Sequence, residues 1–195
     1  MEYEIKFILF YLILQLTLVT SSYYYYNNYI KNVYLKNGKL TFLAGFSQFG
    51  VFFFHAFFLY LPNFLFTNWP KIEVGTISVL TGIIVCSVSL LILVAGFVTL
   101  GPFMRTMGVN SSELIVKGIY KYSRNPQVLG YGLLLAGFGV LWPSWYIFAG
   151  LVSYGFIVHR MILTEELHLE SLFADKFISY CNKTPRYFRY PPNVS

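Results

Sequence analysis

The chain has 195 residues, of which 56% are hydrophobic and only 11% charged, with a net charge of +6 and a mean hydropathy of +0.59. Soluble domains carry about 25% charged residues, so this composition excludes a soluble globule and defines an integral membrane protein. Its two cysteines, Cys86 inside an apolar run and Cys181 in a polar one, are too few and too differently placed for a disulfide framework or a metal knuckle.

The first apolar block covers residues 5–21. Glu2 and Glu4 precede a single lysine, Lys6, which is not the basic n-region of a cleaved signal peptide, so a retained anchor is expected. The run Tyr23 to Tyr26, with Tyr29, reads as an interfacial aromatic belt. The second block spans 40–61, and the breakers Pro62-Asn63 and Asn68-Trp69-Pro70 predict a short interfacial turn after it. The third, 72–100, is long enough to span with tilt and ends at Gly101-Pro102. The fourth, 127–159, is interrupted at Trp142-Pro143-Ser144. At 1.5 Å per residue each half is roughly 22–25 Å long, short for an independent span but suited to a tight helical hairpin.

The expected fold class is therefore an all-α integral membrane protein with about five transmembrane helices. The last two would form a helical hairpin, followed by a cytoplasmic C-terminal segment. One membrane domain over 1–195 is expected, with three anchoring helices in 1–100 and the functional core in 101–195.

Basic residues orient this bundle. Lys31, Lys36 and Lys39 lie between the first two blocks, Arg105, Lys117, Lys121 and Arg124 between the third and fourth, and Arg160, Lys176, Lys183, Arg186 and Arg189 after the last, so 12 of 14 fall on one side. The positive-inside rule makes that side cytoplasmic. The pI of 9.2 is on this reading a topology signal. The basic residues are dispersed over helix ends with no aromatic-basic module, so no nucleic-acid partner is expected.

Two polar segments interrupt the apolar pattern at this face: the stretch 118–130, which contains Arg124-Asn125-Pro126, and the pair Glu165-Glu166. Polar groups at membrane depth are costly and mark functional sites. A hairpin returns the end of its second helix to the start of its first, so the two segments converge. Pro126 fits the first turn of a helix, leaving the amides of Gln127 and Val128 free for an anionic or polar ligand. Each element also has a plainer reading: Asn-Pro is a common helix start, Arg124 can snorkel to headgroups, Arg160 can pair at the interface, and the glutamates can begin a solvated tail. Their convergence points to a site.

Other features read as structural. His55, in a phenylalanine-rich run, is expected to be buried and satisfied by a neighbouring helix; three histidines are too few for a di-iron site, and no metal is expected. Gly132, Gly137 and Gly139 suit close helix packing. Asn110-Ser111-Ser112, Asn182-Lys183-Thr184 and Asn193-Val194-Ser195 match the glycosylation pattern but fall on the expected cytoplasmic side.

The run Gly-Ile-Tyr-x-Tyr-x-Arg-Asn-Pro-x-x-x-Gly at 118–130, the hairpin, Glu165-Glu166, Leu172-Phe173, Tyr180 and Pro185-Arg186-Tyr187-Phe188 are together similar to the isoprenylcysteine carboxyl methyltransferase family and the related phospholipid methyltransferases. These are membrane enzymes that use S-adenosyl-L-methionine. The likeness covers residues 111–188. It implies that Ser112, Glu113, Leu114, Ile115 and Tyr120 line a cofactor pocket, and that Asn125, Pro126, Gln127 and Val128 form the cofactor-binding turn. Glu165 matches the family carboxylate that contacts the cofactor, and Arg160 lies near a substrate-binding arginine. Asn125 and Val128 stand where the prenylcysteine enzymes resemble histidine and tyrosine, and Asn-Pro there is similar to the phospholipid enzymes.

The resemblance implies methyl transfer to a membrane-embedded acceptor, a lipid or lipid-modified molecule, foremost the carboxylate of a prenylated cysteine. Arg124 and Arg160 would orient such a carboxylate through guanidinium N–H donors. A phospholipid amine is the alternative acceptor, with Glu166 or a lipid phosphate taking its proton. A membrane reductase related to the sterol reductases and a non-catalytic lipid-binding bundle are the other readings. The endoplasmic reticulum or a bacterial or archaeal inner membrane would suit all of them.

Overall fold

Ten helical segments and no strand make up the described residues, which in this computed structural model are 2–65, 72–110 and 112–188. Helix α1 (Glu2–Tyr24) continues through a π-helical stretch (Tyr25–Ile30) into α2 (Lys31–Asn37); then come α3 (Phe42–Leu65), α4 (Thr76–Leu100), the short α5 (Phe103–Thr106), a 3₁₀ turn (Gly118–Lys121), α6 (Pro126–Leu141), α7 (Trp145–Phe173) and α8 (Asp175–Lys183). Four stretches are long and apolar enough to cross a bilayer: Ile5–Asn37, Phe42–Tyr60, Thr76–Leu100 and Trp145–Phe173. Pro126–Leu141 is apolar but shorter, and it forms the hairpin with α7.

Local sequence sets these boundaries. Gly38 adopts a left-handed φ of 65° and donates its N–H to the Tyr34 carbonyl at 2.9 Å, a glycine C-terminal cap that stops α2. Pro126 occupies the first turn of α6, where no intrahelical N–H is lost. Trp142, forced toward extended backbone by Pro143, closes α6, and α7 starts two residues beyond that proline.

Small residues bring α4 and α6 together. The buried residues of α4 are Gly82, Ser89 and Gly96, spaced seven apart. Gly130 of α6 lies so close to α4 that a Cβ there would come within 3.0 Å of the Leu93 nitrogen and 3.1 Å of the Ser89 oxygen; at Gly137 it would come within 2.6 Å of the Cys86 sulfur. Backbones that approach this closely gain van der Waals contact where lipid offers no hydrophobic drive. Polar bonds join the other helices. Tyr11 donates its hydroxyl to the Tyr146 carbonyl at 2.9 Å, and Ser153 donates to Gln15 Oε1. His55, fully buried, meets the Gly150 carbonyl at 2.9 Å and Ser153 Oγ at 3.2 Å. His55 is thus held through Nε2 by a neighbouring helix, as its setting in the sequence suggested, while its Nδ1 has no partner among the described residues.

Four details differ from the sequence reading. The first apolar block runs on helically to Asn37, because the π-helical stretch absorbs the tyrosines without breaking the chain. Helix α3 passes through Pro62-Asn63 to Leu65, so the proline falls in its last turn, and Asn68-Trp69-Pro70 lies outside the described residues. Of the tyrosine run, Tyr23 and Tyr24 are exposed but Tyr26 is fully buried, and Tyr25 bonds Ser47. Finally, α7 does not end at Glu165-Glu166 but continues to Phe173.

Candidate active site

The polar stretch ahead of α6 folds as two linked turns. Gly118 takes a φ of 57° and sits where a Cβ would meet the Thr99 side chain at 2.8 Å, so only glycine fits at the start of the 3₁₀ turn. Tyr120 then points inward and is buried. Its carbonyl accepts the Tyr180 hydroxyl of α8 at 2.7 Å. Burial pushes the Tyr120 hydroxyl pKa up, and the nearby Glu165 carboxylate adds to the rise.

The segment after α8 straps across the second turn. Arg124 N–H donates to the Pro185 carbonyl at 3.0 Å, and Asn125 Nδ2 donates to the Arg186 carbonyl at 2.9 Å. Asn125 therefore spends its side-chain amide on the tail and does not cap α6. The first amides of that helix, on Gln127 and Val128, keep no side-chain cap and lie at the positive end of the helix dipole.

Glu166 ties the same elements together. It accepts a bidentate fork from Arg186, with Nε at 3.0 Å and Nη2 at 2.6 Å, and pairs with Arg124 Nη1 at 3.1 Å. The side chains of Arg124 and Glu166 are only 12% and 14% exposed. The hydrogen bond to Glu166 is the main cause of a raised Arg186 pKa. The other Arg124 Nη1 neighbour is the Cys181 sulfur.

A cavity of about 330 Å³ opens beside this knot, within the roughly 300–1,000 Å³ typical of small-molecule sites. Its polar end holds Glu113, Tyr120, Asn125, Gln127, Glu165 and His168; its apolar wall comes from Phe49 and Phe52 of α3 and Leu93 and Phe97 of α4. Gln127 Nε2 is buried with no hydrogen-bond partner. Glu165 forms no hydrogen bond or ion pair among the described residues, although it lines the cavity.

The structure thus brings the Asn-Pro turn and Glu165 to one cavity, with Glu113, Leu114, Ile115, Tyr120, Arg124, Gln127 and Val128 around it. Pro126 is buried in the turn and does not line the cavity. Ser112 is exposed, and its N–H donates to Asn110 Oδ1 at 3.2 Å. Glu166 stands behind the cavity wall in its ion pairs. Arg160 lies elsewhere: its guanidinium sits 5.0 Å from the centre of the Tyr23 ring on the first helix. Ser111, Arg189 and the 193–195 acceptor pattern lie outside the described residues.

The sequence reading did not single out Tyr34, Arg105 or His168, which also line the cavity. For His168 a signal existed. On a helix, residues three and four apart share a face, and Met161, Glu165 and His168 follow that spacing into the cavity. Arg160 and Glu166, each one residue away, turn to other faces.

The helices and their polar cavity define an integral membrane protein whose site sits among spanning segments. A family model for phospholipid methyltransferases matches residues 72–176, just over half of the chain, and the protein belongs to that family. The match runs from the approach to α4 to the start of α8, and so takes in the cavity's turn and its carboxylates. Membership supports membrane-embedded methyl transfer among the readings the sequence left open. No curated protein and no solved structure is similar enough to the chain to match it.

Proposed function

We propose that the protein transfers a methyl group from S-adenosyl-L-methionine to the headgroup amine of a membrane lipid, at the cytoplasmic edge of the bilayer. The observation that carries this reading is one cavity joining the uncapped start of α6, the unpaired Glu165 and an apolar wall. The residues suit the cofactor. The free Gln127 and Val128 amides can hold its carboxylate, the orphaned Gln127 side-chain amide can meet a hydroxyl, and Glu165 can face an ammonium. When bound, the cofactor supplies a sulfonium methyl that is already activated.

The chain's own part is positioning and exclusion of water. Transfer needs the acceptor in line and about 3–3.5 Å from the methyl carbon. Phe49, Phe52, Leu93 and Phe97 give an acyl chain an apolar seat while the polar end keeps the headgroup near Glu165. Helix α3 packs on α7, α7 on α6 and α6 on α4, so α3 and α4, which carry that wall, are joined chiefly through the hairpin, and a lipid chain would enter between them from the side. An amine acceptor is favoured over a carboxylate because Arg124 is already paired with Glu166 and Arg160 does not line the cavity.

A second reading, methylation of a prenylcysteine-type carboxylate, rests on Arg105. This arginine lines the cavity, donates to the Leu100 carbonyl at 3.2 Å and lies 3.6 Å from the exposed Glu113, yet its Nε has no partner. Incubation with labelled S-adenosyl-L-methionine, total lipid extract and a farnesylcysteine analogue separates the two. Base-stable label on a headgroup supports the amine, base-labile label on the analogue supports the carboxylate, and no label on either refutes both.

A further inference from the structure

Helix α7 carries a histidine that the family resemblance does not assign. His168 is 6% exposed, lines the cavity one turn beyond Glu165, and has its Nε2 buried without a hydrogen-bond partner. Its ring is held in place. The Tyr34 ring of α2 stacks on it with centroids 3.9 Å apart and planes 21° from parallel. Tyr34 lines the same cavity. Arg105, Arg124 and Gln127 of the cavity lining also carry a buried nitrogen without a partner, but a guanidinium or an amide does not exchange a proton near neutral pH, whereas an imidazole fixed flat at the cavity wall can.

Methylation of an alkylamine requires a proton acceptor, because the ammonium form has no lone pair. Glu166 cannot serve while two guanidinium groups hold its oxygens, and a lipid phosphodiester is a far weaker base than an imidazole. Glu165 is the group facing the bound donor in the proposed function. We propose that His168 is the catalytic base for an amine acceptor, with Tyr34 as its positioning residue; this rests on the methyl-transfer reading above. The balance is simple. The ammonium N–H bond breaks and its proton passes to the imidazole; the freed lone pair forms the N–C bond as the sulfonium C–S bond breaks, and the thioether leaves with that electron pair. The imidazole then releases the proton to water.

The test compares two acceptors in vesicles containing the full-length protein: phosphatidylethanolamine, whose amine is protonated at pH 7, and an analogue with an arylamine headgroup, which is already neutral. His168→Gln should slow methylation of the first by at least about 100-fold, the usual scale of general-base catalysis. Methylation of the arylamine should change less than about threefold. Binding of S-adenosylhomocysteine, followed by calorimetry, should be unaltered. His168→Ala with added imidazole should regain activity toward the alkylamine, which a purely structural role would not allow. Equal slowing of both acceptors, or no rescue by imidazole, overturns the assignment. If the wild-type protein binds the cofactor product but methylates only a carboxylate, the base is refuted and methyl transfer survives; if it binds none, both fail.

Discussion

Glu165 and Glu166 are neighbours on α7 with opposite fates: Glu166 is clasped by Arg124 and Arg186, while Glu165 faces the cavity with no ion-pair partner among the described residues. One carboxylate ties elements of the fold together and the other is left open to the cavity. Glu166→Gln leaves two guanidinium groups facing a neutral amide. Removing one member of a buried pair costs about 3–5 kcal/mol, and this partly exposed pair belongs at the low end, so a clear drop in the melting temperature in detergent is expected. Glu165→Gln should instead leave melting unchanged and abolish calorimetric binding of S-adenosylhomocysteine. The reverse pattern would refute the division of roles.

Asn125→Ala removes the hydrogen bond to the Arg186 carbonyl. Such a bond contributes about 1 kcal/mol. Its loss should loosen the strap of residues 184–188 from the turn. Limited trypsin digestion should then cut at Arg186 several-fold faster, and an unchanged cutting rate would show that the strap is held without it.

The helical blocks and their hairpin were legible in the chain because apolar runs of spanning length leave few alternatives. The meeting of the Asn-Pro turn with the acidic pair followed from connectivity alone. The separate roles of Glu165 and Glu166 were not legible, since which side of a helix faces a cavity depends on how that helix is rotated against its neighbours. The same rotation sends Arg160 to Tyr23. Arg186 was visible as a motif residue, but its fork onto Glu166 crosses 20 residues of sequence and is set by the packing of α8. The stack of Tyr34 on His168 joins helices far apart in the chain, and nothing local announces it.

Glycine substitutions on the hairpin should divide by location. At Gly137 a Cβ meets Cys86 Sγ and, at 3.1 Å, the Cys86 backbone nitrogen, so Gly137→Leu must push α4 from α6. Overpacking of this kind costs about 1–3 kcal/mol. At Gly155 nothing lies within 4 Å of an added Cβ, and Gly155→Ala should be neutral or stabilise by up to about 0.5–1 kcal/mol. Thermal unfolding of both variants in one detergent is the check, and equal effects would place the seam elsewhere.

Cys181 offers a pH-dependent readout of the same region. Burial pushes its thiol above the ordinary value of 9.0, against the opposing pull of the Arg124 guanidinium. Only the thiolate reacts with iodoacetamide, and a raised pKa means less thiolate at any given pH. In a Cys86→Ser background, alkylation should therefore keep accelerating beyond pH 9. Arg124→Gln removes the opposing pull and should move the profile higher still. A plateau below pH 9 would contradict the burial.

The strap that finishes the Asn-Pro turn is made of residues translated long after it. Helices α6 and α7 can pair while synthesis is still under way, yet Arg124 and Asn125 gain their anchors only when Pro185 and Arg186 have left the ribosome. A nascent chain halted in α7 would hold the turn without either of these anchors, so the mouth of the cavity takes its final shape only when the last segment docks.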